Sequence, residues 1–230
     1  DGVTLELERP LYEAGAASPT LQILHCPGSD GTDARLRNLR SPRGLAAFEA
    51  DGREYVAIAD TGNRRVAVWD DTTGYVAHWE GDLVAPAGVA ADPGGEGRFF
   101  LLDRDAGGRS RLFLFQLSGD ALHVEPGYPV PVDVGDATAG GSGPEIGLAA
   151  ARDPATGGTL LAVTDATRGR VLEMAREGEG WRTIATRTEA VGTYPGEAGL
   201  ARPTDVAYTV EGDAVHLYAV DGHDRIVRLR

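Results

Sequence analysis

The sequence predicts an all-β protein, a β-propeller built from four-stranded blades, and three observations carry that prediction. A short motif recurs four times along the chain. Between its copies lie β-branched and aromatic runs bounded by turns, with no amphipathic helix of useful length. The 230 residues include 32 glycines and 13 prolines, together well above the roughly 12% of an average globular chain, so the backbone turns often.

The motif begins each repeat. Pro42-Arg43-Gly44-Leu45-Ala46-Ala47 is echoed by Pro86-Ala87-Gly88-Val89-Ala90-Ala91, by Pro144-Glu145-Ile146-Gly147-Leu148-Ala149-Ala150 with one extra residue, and by Pro203-Thr204-Asp205-Val206-Ala207-Tyr208. The repeats therefore start near residues 42, 86, 144 and 203, at or somewhat above the ~40–50 residue period of a propeller blade. After each inner strand comes a polar turn and a second strand, at residues 54–59, 98–102, 159–163 and 214–220. An aspartate follows (Asp60, Asp103, Asp165, Asp221), then a turn rich in Gly and Arg, and a third strand opening with Arg65, Arg111, Arg170 or Arg225. Several short strands in each repeat, with no helices between, imply antiparallel sheets arranged radially.

Packing explains the residue types. Where inner strands crowd together, the position of Ala46, Ala90, Ala149 and Ala207 must be small, while Leu45, Val89, Leu148 and Val206 fill the opposite side between blades. The recurrent aspartate can accept turn amides and pair with the arginine that follows, a structural role that suits its presence in every copy.

Residues 42–69, above all Ala59-Asp60-Thr61-Gly62-Asn63-Arg64-Arg65-Val66, resemble an NHL repeat, the unit of a class of β-propellers. The fourth copy keeps part of this pattern; the second and third keep the Asp and Arg but lose Thr-Gly-Asn. The resemblance, which runs over about residues 42–230, implies a propeller whose loops on one face read a ligand. It implies no single activity, because such propellers serve as protein- or RNA-binding platforms, sensor domains and, less often, enzymes. The whole chain reads as a single domain. Residues 1–41 form an extension in which residues 21–26 have the position of an outer strand that closes the ring on the last blade, and residues 3–12 an additional strand. Four blades is the literal count; five or six is the alternative.

Charge and composition exclude several functions. The net charge of −13 repels a phosphate backbone, so nucleic acid is an unlikely partner. Every basic residue except histidine is Arg, which removes Schiff-base chemistry and the P-loop lysine. One cysteine, Cys26, permits no internal disulfide and leaves the redox compartment open. No apolar run approaches the ~18 residues of a membrane helix. No leader opens the chain at Asp1, although one removed earlier would leave an extracytoplasmic location open.

His25, His78, His123, His216 and His223 share no register, so they offer no axial zinc site of the kind the NHL-like amidating lyases use. Related metal-dependent lactonases use carboxylates and Asn, and this chain has only Asn38 and Asn63. The acidic loops at Asp30/Asp33 and Asp133/Asp136 read as turns rather than calcium loops. No cofactor is expected.

What remains is a non-catalytic binding or sensing platform for a protein, peptide or small polar ligand; the alternative is a propeller hydrolase or lyase with a metal in its axial channel. The residues just before each inner strand, Arg43, Glu145, Thr204 and Asp205, are expected to surround one channel mouth as a mixed-charge pocket. Tyr128 and Tyr194, each before a proline in a long connector, are the candidates to cover it.

Overall fold

A computed structural model describes residues 39–70, 74–134, 146–178, 180–190, 199–222 and 225–229. The propeller occupies the compact unit Ser41–Arg230, distinct from the unit Asp1–Arg40. It has four blades, each an antiparallel meander in chain order from the inner strand outward. Blade 1 contains β1 (Pro42–Ala50), β2 (Arg53–Asp60), β3 (Arg65–Asp70) and β4 (Gly74–Trp79). Blade 2 contains β5 (Ala85–Ala91), β6 (Arg98–Arg104), β7 (Ser110–Ser118) and β8 (Ala121–Val124), with β9 (Val130–Val132) pairing on β7. Blade 3 contains β10 (Leu148–Arg152), β11 (Thr159–Asp165), β12 (Arg170–Glu177) and β13 (Gly180–Arg187). Blade 4 has three described strands, β14 (Pro203–Glu211), β15 (Ala214–Asp221) and β16 (Arg225–Arg228). The ring-closing strand expected at residues 21–26 and the extra strand at 3–12 lie outside the described residues.

The repeat seen in the sequence is also a repeat of register. Ala46 pairs with Ala57, Ala90 with Phe100, Ala149 with Ala162 and Ala207 with Tyr218. Period-two alternation then sends one set of side chains toward the next blade and the other toward the preceding one. Three apolar clusters result. The first joins blades 1 and 2, with Ala57, Ala59, Val66 and Val68 meeting Val89, Phe99, Leu101, Phe113 and Phe115. The second joins blades 2 and 3 around Phe100, Leu102, Leu114, Leu148 and Leu161. The third joins blades 3 and 4 around Ala149, Ala162, Val171, Val206 and Leu217. Each fully buried Leu or Phe contributes about 1.5–3 kcal/mol, so these seams between blades hold the fold together.

Two positions depart from the repeat. Leu45 was expected to fill a space between blades, as Val89, Leu148 and Val206 do, yet it is 71% exposed. Ala207 was expected where inner strands crowd together and is exposed too. The cause is common to both: among the described residues, no cluster joins blade 4 to blade 1. The face of blade 4 that would receive a following blade accordingly leaves Val220 and Ile226 41% and 75% exposed, while their counterparts Ala59 and Val66 are wholly buried.

Close approach explains the glycines of the motif. A Cβ on Gly44 would lie 2.1 Å from the Ala87 carbonyl oxygen. One on Gly88 would lie 2.7 Å from Leu148 Cβ, and one on Gly147 2.6 Å from Asp205 Cα. Backbone thus rests on backbone where consecutive inner strands meet, and only glycine permits it.

Candidate functional site

The aspartates after the second strands are the anchors of the turns at this end of the blades. All four are buried. Asp60 pairs with Arg65 at 2.7 Å, Asp103 with Arg111 at 2.6 Å, Asp165 with Arg170 at 2.8 Å and Asp221 with Arg225 at 2.9 Å. Asp103 also accepts the Val84 and Ala85 amides at 3.0 and 2.8 Å, and Asp221 those of Ala201 and Arg202 at 3.0 and 2.7 Å. In blades 2 and 4 the carboxylate thereby clamps the segment leading into its own inner strand, whereas Asp60 holds Asn63 and Arg65, and Asp165 holds Arg168 and Arg170, in the turn that follows the second strand. Burial pushes the Asp103 carboxyl above the usual carboxylate range despite its pairing with Arg111. At Asp221 burial acts in the same direction, but the Arg202 amide and the Arg225 guanidinium outweigh it and hold the group low.

The starts of the four inner strands surround a cavity of about 720 Å³ where those strands converge. In β1, β5 and β14 the ladder slips just after the proline, between Pro42 and Leu45, Pro86 and Val89, and Pro203 and Asp205. Such irregularities re-aim side chains, and here the residues of the slip line the cavity. Arg43, Thr204 and Asp205 all do so, which brings together three of the residues singled out from sequence. Ala87 lines the wall without a polar group. Glu145 and Tyr194 lie outside the described residues.

Tyr128 does not join them. Its hydroxyl accepts a hydrogen bond from Trp181 Nε1 at 2.9 Å, and its ring packs against the cluster between blades 2 and 3. It fastens its connector to the outer strand of blade 3, away from the cavity, because a half-buried phenol in reach of an indole N–H satisfies both groups.

Sequence reasoning missed Arg202, which also lines the cavity. It stands immediately before the motif's proline, and its sequence signal was that Ser41 and Ala85 occupy the same place in the first two copies. Asp205 holds the position of Gly44, Gly88 and Gly147. Its exposed carboxylate accepts a hydrogen bond from the Val206 amide at 2.9 Å.

The other chemical candidates resolve into local contacts. His78 lies against Tyr75 and 3.8 Å from Glu80. Asp133 faces Arg168 at 3.1 Å and Arg170 at 3.7 Å. Asn63 donates to Asp60 at 2.8 Å. Among the described residues no three His, Cys, Asp or Glu side chains gather as a metal site would require. Cys26, His25, His223, Asn38, Asp30, Asp33 and Asp136 lie outside the described residues. Among the described residues no helix is long and apolar enough to cross a membrane.

No protein-family model and no curated protein matches the chain, so the NHL resemblance rests on the motif residues alone. The fold has many likenesses among solved structures. A lectin from Aleuria aurantia, a mutant in complex with α-methyl-L-fucoside, superposes with a TM-score of 0.50 at 13% identity over 80% of this chain and 55% of its own. A chain of the mitotic checkpoint complex gives 0.53 at 12% identity over 85% and 51%. The WD40 domain of Toxoplasma gondii coronin gives 0.50 at 11% identity over 80% and 44%. The chain thus spans about half the length of these propellers, and at such identities the likeness is one of fold.

Proposed function

We propose that this propeller is a non-catalytic binding platform that takes a small polar ligand into the cavity where its inner strands converge. One observation carries the reading: in a chain of net charge −13, this cavity is walled by two arginines and one aspartate, Arg43, Arg202 and Asp205. A concave site with a few convergent polar groups on an apolar wall is what small-ligand recognition needs. Glycine joints at Gly44, Gly88 and Gly147 and aspartate clamps at Asp103 and Asp221 hold the contributing strands, so little ordering cost accompanies binding. The NHL-like motif of residues 42–69 supports the platform reading, as do lectin and WD40 neighbours of the same fold.

The test is nuclear magnetic resonance mapping of backbone amides with three probes: trialanine, α-methyl-L-fucoside and acetate. At least one is expected to shift the amides of Gly44, Gly88, Gly147 and Asp205 together. Shifts confined to residues away from the cavity, or none with any probe, would overturn the reading.

A further inference from the structure

Several arginines of the described blades pair with carboxylates. Arg65, Arg111, Arg170 and Arg225 are paired with the conserved positions of the repeat's aspartate, Arg53 reaches Asp70 at 2.6 Å, and Arg98 reaches Asp92 at 2.8 Å. Two exposed charges that line the cavity make no such pair. Among the described residues, the guanidinium of Arg202 makes no ion pair or hydrogen bond, and the carboxylate of Asp205 has no cationic partner. They sit three positions apart on one strand approach and line the same space, yet they do not pair with each other.

Asp205 is also a departure that packing alone does not require. At its position in blades 1 to 3 a glycine admits the backbone of the next inner strand. Blade 4 has no described strand resting there, so packing does not demand a glycine, and the residue present is an acid that lines the cavity. The same cavity is lined by Leu45, Val89, Leu148 and Val206, one aliphatic side chain from each inner strand. A guanidinium, a carboxylate and aliphatic side chains lining one concave space match a ligand that carries both charges and an apolar group.

Building on the cavity reading above, we propose that the ligand is a small zwitterion, an apolar amino acid or short peptide with free termini. Its carboxylate lies on Arg202 and its ammonium on Asp205, with the apolar wall against the intervening side chain. Both contacts are charge-assisted hydrogen bonds, the kind that supplies specificity at exposed mouths where plain ion pairing is weak.

The experiment titrates trialanine, its N-acetyl form and its C-terminal amide into the 230-residue chain by calorimetry, with Arg202→Gln and Asp205→Asn variants alongside. Free trialanine is expected to bind, and blocking either end to weaken it about tenfold or more, the weight of one charge-assisted bond. In Arg202→Gln the amide should bind as well as the free acid; in Asp205→Asn the acetyl block should cease to matter. Blocked peptides that bind as tightly as free trialanine overturn the proposal, as does a block that still costs the same in its matching variant. If α-methyl-L-fucoside or acetate shifts the cavity amides and trialanine does not, the zwitterion falls while the cavity reading stands. If no probe shifts them, both fall.

Discussion

Replacing Gly44 by Ala places a methyl group 2.1 Å from the Ala87 carbonyl oxygen, 3.0 Å from the Val89 nitrogen and 3.1 Å from the Ala87 carbonyl carbon. The first distance falls short of ordinary van der Waals separation by more than ~1 Å. All three neighbours are backbone atoms of β5, so no rotamer change relieves the clash, and blades 1 and 2 must part at the seam that buries Val89 and Phe113. Overpacking of this kind costs about 1–3 kcal/mol, and immovable backbone puts Gly44→Ala at the upper end. Lower chain entropy in the unfolded state returns about 0.4–1 kcal/mol, because this glycine is not in the left-handed region. The net loss is about 2 kcal/mol, and a domain of this size loses about 2–4 °C per kcal/mol, so melting should fall by about 4–8 °C. The assay is thermal unfolding followed by circular dichroism, with Gly199→Ala as the control, since a Cβ there meets nothing within 4 Å. A Gly44→Ala protein that melts at or above that control would refute the argument from backbone contact.

Two further outcomes are expected. Asp60→Ala removes the buried carboxylate that pairs with Arg65, itself 1% exposed, and should cost about 3–5 kcal/mol in urea unfolding, whereas Glu177→Ala removes an exposed pair with Arg182 and should cost no more than about 1 kcal/mol. Ala149→Leu should destabilise by about 1–3 kcal/mol through overpacking against blade 4; Ala207→Leu, at the same register but exposed, should leave the midpoint almost unmoved, and equal losses in the two variants would reject the registers given.

The blades were legible because each residue of the repeat answers a local demand. A strand of alternating Leu and Ala, a buried aspartate and a following arginine solve the same problem four times, so the second strands read as 54–59 and 214–220 emerge as Arg53–Asp60 and Ala214–Asp221. The cavity was partly legible for the same reason: Arg43, Thr204 and Asp205 share a place in the motif, and shared place means shared surroundings. Tyr128 was not, since a connector is fixed by whatever it meets, here Trp181 some fifty residues on, and no local pattern records that meeting. Arg202 escaped because it precedes the proline that marks the motif's start. The exposure of Leu45 and Ala207 was hidden as well, since a repeat motif describes what a blade presents and not whether a neighbour is there to receive it.

Because every seam among the described residues joins one blade to the next in chain order, the described blades couple as a stack of nearest neighbours. Its cooperativity is passed along like a row of clasped hands. Blade 4 is clasped through Val206, Leu217 and Val227 on one side and shows Val220 and Ile226 to solvent on the other, so amide protection against hydrogen exchange should be lowest there and rise toward the doubly held blades 2 and 3. Arg202 and Asp205 belong to that loosest blade, and a molecule bound between them would draw it toward the rest, lending the end of the stack the rigidity its position denies it.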